Sequence, residues 1–293
     1  MAAARKRSSG ARGSAVQTDA DAALSIDPGR VTSILTSFLR SESGRAGRTR
    51  LVVGLSGGLD SSVAASLAVR AQGPERVLGV LMPYRSSSAD SLRHARLLAR
   101  RLEINTEEID ITPMVDAYFA SAPRASRGRR GNKMSRERMS ILYDLSQARK
   151  ALVVGTSNKT ELLLGYGTLH GDLASALNPI GDLYKTQVRQ LAAYLKVPKL
   201  IRDKPPSADL WPGQTDEQDL GLAYAEADRL LYWMFDRRTP EKALLELGFP
   251  RRTVRRIRER VRRSQFKRRM PLIAKVSLRT VGIDFRYPRD WGT

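Results

Sequence analysis

Apolar residues recur at helical spacing between positions 27 and 40, at Val31, Ile34, Leu35, Phe38 and Leu39, which predicts an amphipathic helix. The pattern then changes. Leu51-Val52-Val53-Gly54-Leu55 is an unbroken apolar run that stops at Ser56-Gly57-Gly58, so it predicts a buried strand closed by a turn. Residues 61–71, rich in Ala, Val and Leu, predict a helix, 77–82 a second buried strand and 88–101 another helix. Residues 107–111 predict a third strand and 151–155 a fourth, which again ends in Gly155 and Thr156. Short apolar strands alternating with helices predict an α/β fold, a doubly wound parallel sheet with helices on both faces. Two stretches interrupt the rhythm. The basic, glycine-rich segment 122–134 and the proline-rich segment 198–215 are both expected to be loops. From Asp216 to about Arg263 the pattern is helical, and an irregular tail is expected beyond it.

The 41% of hydrophobic residues is enough to bury a core, and no stretch approaches the ~18 apolar residues of a membrane span. Residues 1–25 are rich in Ala, Arg, Ser and Gly without an apolar centre, so a disordered basic arm is expected rather than a secretory signal. A soluble, cytoplasmic protein follows as the expectation. The chain has no cysteine, which excludes disulfides, thiolate metal sites and every cysteine nucleophile. The net charge of +21 is uneven: eleven of the nineteen residues from Arg251 to Arg269 are Lys or Arg. Such a patch attracts anions. Phe266 is the only aromatic residue within it, and single-strand binding usually needs stacking platforms, so nucleic acid is not the expected partner. A solvated helix face with a few residues serving a phosphorylated substrate is the plainer reading.

The candidate chemistry lies in Leu55-Ser56-Gly57-Gly58-Leu59-Asp60-Ser61-Ser62, between a strand and a helix. The serines offer hydroxyl donors, and the glycines let backbone N–H groups approach an anion. The helix N-terminus favours phosphate, and Asp60 offers a hard oxygen ligand for Mg²⁺. Neither the phosphate loop that carries a Lys nor the dinucleotide-binding glycine pattern is present.

At these residues the chain resembles the ATP pyrophosphatase (PP-loop) superfamily, whose signature is S-G-G-x-D-S. Further segments resemble the NAD synthetase family: Gly131-Asn132-Lys133-Met134-Ser135-Arg136-Glu137-Arg138-Met139, Gly155 to Glu161, Tyr166 to Asp172, Asn178 to Thr186, and Lys204-Pro205-Pro206-Ser207-Ala208-Asp209-Leu210. The resemblance runs in order from about residue 30 to about residue 275. It implies an adenine nucleotide alpha-hydrolase-like fold, with a ligase domain over 26–275 and an irregular tail over 276–293. It also implies ATP-dependent amidation of deamido-NAD to NAD through an acyl-adenylate, releasing AMP and pyrophosphate, with no protein nucleophile. A tRNA-modifying ligase using the same loop, its basic C-terminal region on RNA, is the rival reading.

The resemblance assigns roles residue by residue. Gly54, Leu55, Ser56, Gly57, Gly58, Leu59, Asp60 and Ser61, with Thr156, Lys185 and Ser207, would hold ATP. Asp60 and Glu161 would bind Mg²⁺, and Arg136, Asp172 and Lys267 would meet deamido-NAD. The chain departs from the pattern at Leu169 and Ala176, where ammonia-dependent members often carry Lys and Asp. Contacts to the nicotinate and ribose then fall to other residues, such as His170 or Asp172. A homodimer is implied, with the dinucleotide site at its interface. The nitrogen donor is expected to be free ammonia, since glutamine-using relatives carry an additional amidase domain with a Cys nucleophile. Ammonia delivered by a separate glutaminase subunit stays open.

Overall fold

The computed structural model describes residues 22–211, 213–281 and 284; the first 21 residues of the expected basic arm and most of the tail beyond 281 lie outside this range. Helix α1 (Pro28–Arg45) starts where Asp27 accepts from the N–H groups of Gly29 and Arg30, with Pro28 at the first helical position. Strand β1 (Arg50–Gly54) leads through the glycine turn into α2 (Leu59–Gln72). Next come β2 (Val77–Leu81), α3 (Ala89–Leu102) and β3 (Asn105–Glu108). The chain crosses back through α4 (Thr112–Phe119) and α5 (Arg127–Ala148) to β4 (Ala151–Val154). The four strands are all parallel in the order β3-β2-β1-β4. The order therefore reverses between β1 and β4, which opens a crevice at their carboxyl ends.

The core explains the unbroken apolar runs. Leu51, Val52 and Val53 are all fully buried, because both faces of β1 are covered. Leu51 and Val53 pack on α1 and on the small residues Ala64, Ala65 and Ala68 of α2. Val52 faces the opposite layer, with Val80, Val115, Phe119 and Met134. A short helix α6 (Lys159–Leu164) follows β4, and α7 (Lys185–Tyr194) and α8 (Lys199–Arg202) return to the first layer. Helices α9 (Asp216–Leu220), α10 (Tyr224–Leu231), α11 (Glu241–Glu246) and α12 (Arg251–Arg263), with one π turn at Tyr232–Asp236, build a second core with Leu164 and Tyr184. Leu24, at the edge of the expected arm, is buried in this core, and its carbonyl accepts from Gln190 Nε2 at 3.0 Å. No helix among the described residues is long and apolar enough to cross a membrane.

Three expectations are corrected. The third strand lies at 105–108 rather than 107–111. Ile109 and Ile111 donate to Leu81 and Pro83 carbonyls, each at 2.9 Å, so the apolar pair marks where the edge turns inward, not the ladder itself. The basic segment expected as a loop is instead helical from Arg127, where the Ser126 side chain caps Arg129 N. Gly128 and Gly131 cost this helix about 1 kcal/mol each relative to Ala, yet the second lets Leu210 approach: a Cβ there would stand 2.9 Å from Leu210 Cδ1. The charges do not break it, because Arg130 and Lys133 lie over the rings of Phe119 and Tyr118 at 4.7 and 5.1 Å. Finally, the basic helix α12 is not simply a solvated face. Val254, Ile257 and Val261 are buried along one stripe, Arg258 pairs with Glu241, and Arg256 donates to the Gly221 carbonyl at 2.7 Å.

Candidate active site

The loop after β1 is built by its own hydroxyls. Gly58 N donates to Ser56 Oγ at 3.2 Å, Ser56 Oγ lies 3.1 Å from Ser61 Oγ, and Ser62 Oγ donates to the Gly58 carbonyl at 2.7 Å. Helix α2 begins at Leu59 with no side-chain cap. Its first N–H groups therefore face the crevice as an uncapped positive dipole end, which suits a phosphate. Ser62 is fully buried and belongs to the wall rather than to the ligand side. Gly57 has φ +71°, and a Cβ there would stand 2.0 Å from the Ser91 carbonyl oxygen. Gly57→Ala is therefore expected to destabilise the fold by about 1–3 kcal/mol, measured by urea unfolding. A stability equal to that of the parent chain would show that the loop can relocate freely.

One cation sits among the carboxylates. Lys185 Nζ, whose side chain is 3% exposed, contacts Asp60 Oδ2 at 2.5 Å and Glu161 Oε1 at 3.2 Å. Asn158 fixes both acids. Its Nδ2 donates to Asp60 Oδ1 at 3.0 Å, while its Oδ1 and N–H form a capping box with Glu161 that starts α6. Burial pushes the Glu161 carboxyl up to about 8, with Asp60 and Asp216 adding to the shift and Lys185 opposing it. Burial acts against the Lys185 charge, but Asp60 and then Glu161 outweigh it, so the ammonium is held protonated.

Buried polar groups set the Lys185 backbone. Asp228, fully buried, accepts from Thr160 Oγ1 at 2.5 Å and from Thr186 N at 2.8 Å, and Lys185 N donates to Thr160 Oγ1 at 3.0 Å. Asp216 accepts from the hydroxyls of Tyr166 and Tyr224, each at 2.9 Å, and Lys185 Nζ lies 5.0 Å from the Tyr224 ring centroid. Burial raises the pKa of Asp216 and of both tyrosines, so the phenols remain hydrogen-bond donors. Asp228→Ala is expected to cost about 3–5 kcal/mol, the scale of removing one partner from a buried charged network. Denaturant titration measures this; a loss below about 1 kcal/mol would mean that the threonine donors find other acceptors.

These groups line one cavity of about 550 Å³ in the crevice. The structure brings Gly54, Leu55, Ser56, Gly58, Leu59, Asp60, Ser61, Thr156, Glu161, Lys185, Ser207, Asp172 and Lys267 to its wall. Gly57 and Arg136 do not line it. Arg136 is exposed and donates to the Leu169 carbonyl at 3.2 Å. Asp172 accepts from Ser135 Oγ at 2.6 Å and from Thr168 N at 2.8 Å, which ties the loop after α6 to α5. His170 is exposed and off the wall, with φ +58°. Lys267 donates to the Gly165 and Gly167 carbonyls at 2.8 and 2.7 Å, and burial lowers its pKa against the pull of Asp172. Arg260 and Arg268 reach the carbonyls of Leu164, Leu163 and Leu162, so the basic segment also neutralises the negative end of α6.

Sequence reasoning missed two contributors. Arg138, which carries no expected role in the sequence reading, is half-buried on the cavity wall and donates from Nε to the Met82 carbonyl at 3.0 Å. Asn158 was legible in principle, as an Asn three residues before Glu161 is a capping signature. Among the described residues, no group of three or more His, Cys, Asp or Glu side chains is gathered to hold a metal.

The NAD synthase family model matches residues 31–271. The chain belongs to the NAD synthase family. A curated relative, the NH(3)-dependent NAD(+) synthetase of Chlorobium phaeovibrioides, is 58% identical over 261 residues, covering 89% of this chain and 94% of its own length. Two solved members share the architecture. The NMN synthetase of Francisella tularensis is 34% identical with a TM-score of 0.76, covering 85% of this chain and 99% of that one. The NH3-dependent NAD synthetase of Campylobacter jejuni, solved with a nitrate ion, is 33% identical with a TM-score of 0.74, covering 86% and 100%. The family's reaction thus meets, in this chain, a loop, two carboxylates and a buried lysine on one cavity wall.

Proposed function

We propose that the chain is an ammonia-dependent NAD synthetase: it amidates deamido-NAD with ammonia, at the cost of ATP cleaved to AMP and pyrophosphate. The observation that carries this reading is the uncapped α2 terminus with Asp60, Lys185 and Glu161 on the wall of one cavity. The nicotinate carboxylate attacks the α-phosphorus, the bond to pyrophosphate breaks, and an acyl-adenylate forms. Ammonia then attacks the acyl carbon, AMP leaves, and the nitrogen sheds a proton to solvent or a neighbouring base. No protein nucleophile takes part. Residues 54–61 cradle phosphate oxygens, Lys185 supplies a cation, and Thr156 and Ser207 contact ATP; catalysis is positioning and electrostatics. Asp172 and Lys267 face the deamido-NAD side of the cavity, and Arg136 reaches it from a second copy.

Mg²⁺ fits the donor set. Asp60 and Glu161 already converge on one cation, the Lys185 ammonium, and one or two carboxylates plus phosphate oxygens are what Mg²⁺ usually takes. When bound it neutralises charge on the departing pyrophosphate. Lys185 would then turn toward the phosphates as a point charge.

The resemblance to the family leads to a homodimer, in which the exposed Arg136, bound within its own chain to the Leu169 carbonyl, would meet the dinucleotide of the partner copy. Sedimentation is expected to give about twice the 32.6 kDa chain mass; a monomer at micromolar concentration would remove Arg136 from the substrate assignment. As a biosynthetic enzyme of soluble substrates, it works in the cytoplasm.

Free ammonia is the nitrogen donor. No cysteine exists in the chain to attack a glutamine amide. With deamido-NAD, ATP and Mg²⁺, NAD is expected from ammonium chloride and not from ammonium-free glutamine. Ammonium has no lone pair, so turnover at fixed total ammonium should rise with pH above neutrality. Equal rates from glutamine alone would overturn the donor, and no NAD from either source would overturn the function. Pyrophosphate release with tRNA in place of deamido-NAD would favour the RNA-ligase reading instead.

A further inference from the structure

Lys185 is not the only cation that α7 brings to the cavity wall. Arg189 lines the same cavity one turn later, and four residues advance a helix by about 6 Å while keeping to one face. Long side chains on a helix lean back toward its N-terminus, so the Arg189 guanidinium is carried toward the Lys185 turn. Helix α7 also packs along α2, with Val188 and Leu191 in one core with Val63 and Leu67. The cavity-facing side of α7 therefore stands beside the uncapped α2 terminus and the phosphate loop. The other cations on this wall already have partners. Lys204 donates to Ser91 Oγ at 2.7 Å, Arg202 donates from Nε to the Val197 carbonyl at 3.0 Å, and Arg138, Arg260 and Lys267 donate to the carbonyls described above. Arg189 is exposed and has no hydrogen-bond or ion-pair partner among the described residues.

The reaction leaves a place for such a group. The loop from Leu55 to Ser62 contains no Lys or Arg, so it meets phosphate with N–H and hydroxyl dipoles alone. Lys185 is shared between two carboxylates. Pyrophosphate gathers negative charge as its bond to the α-phosphorus breaks, and neither the loop nor Lys185 brings it an uncommitted cation. A guanidinium suits the task, because its planar fork matches two phosphate oxygens at once. We propose that Arg189 binds the β- and γ-phosphates of ATP and holds the departing pyrophosphate. This rests on the reading of the cavity as an ATP site. Lys185, Asp60 and Glu161 then serve the side of the α-phosphate, and Arg189 serves the leaving group.

Equilibrium binding separates this role from a general disturbance of the site. Pyrophosphate, α,β-methylene ATP (which cannot be cleaved to pyrophosphate) and AMP are titrated by calorimetry, with Mg²⁺ present, into the unaltered chain, Arg189→Gln and Arg189→Lys. Arg189→Gln is expected to weaken pyrophosphate and α,β-methylene ATP by about ten- to a hundred-fold, the scale of a lost hydrogen bond to a charged group. AMP lacks the β- and γ-phosphates, so its affinity is expected to stay the same. Arg189→Lys keeps the charge without the fork and should fall between the two. In turnover, the KM for ATP rises in Arg189→Gln while those for deamido-NAD and ammonia do not. Unchanged pyrophosphate affinity in Arg189→Gln, or an equal weakening of AMP, would overturn the assignment. An unaltered chain that binds none of the three ligands would instead overturn the ATP-site reading, and this inference with it.

Discussion

Asp60→Asn is expected to fold and to lose turnover by a factor on the order of 10²–10³, the scale of removing one preorganised electrostatic contact at a developing charge. The substitution keeps the side-chain volume and leaves the Asn158 Nδ2 contact an oxygen to donate to. It removes the negative charge that faces Lys185 at 2.5 Å and that is offered to Mg²⁺. Steady-state pyrophosphate release at saturating Mg²⁺, with circular dichroism as the folding control, measures the effect. Near-parental turnover in a folded variant would take Asp60 out of the reaction. Glu161→Gln is expected to act alike, and the double variant to fall far short of the product of the two losses, because both carboxylates serve one cluster.

Lys185→Met is expected to cost about 3–5 kcal/mol of stability, because it leaves the part-buried Asp60 carboxylate without its cation. Methionine approximates the lysine stem, so the loss is charge rather than volume. Urea unfolding monitored by tryptophan fluorescence gives the number. The decisive arm is the Lys185→Met, Asp60→Asn pair. Removing that stranded charge should recover part of the lost stability, even though each change alone is harmful. A strictly additive pair would mean that Asp60 and Lys185 are not energetically coupled, contrary to their contact.

How far the site could be read from the chain follows from what each residue depends on. Asp60 and Glu161 were legible because each sits in a local motif: one beside a glycine turn at a strand end, the other at the third position of a capping box. The environment of Lys185 was not. It is 125 residues from Asp60, and nothing in its neighbours says that it is buried rather than a surface lysine. Arg136 and Arg138 illustrate the same limit two residues apart, since one is exposed and the other faces the cavity. Which of them turns inward depends on how α5 packs against Met82. The helix itself was hidden by glycines and arginines whose local preferences the packing against Phe119, Tyr118 and Leu210 overrides.

The sequence by itself determined the alternation of buried strands and helices, the phosphate loop and its carboxylate, and the absence of any thiol chemistry. These are local properties, set by the period of apolar residues and by backbone freedom at Gly57 and Gly58. Only the tertiary structure decided that Lys185 lies between Asp60 and Glu161, that Asp228 and Asp216 support it from beneath, and that the basic C-terminal segment caps α6. Those arrangements join residues far apart in the chain. Their energies come from desolvation and charge pairing, which arise only once the sheet, α6, α7 and the C-terminal helices close around a common interior.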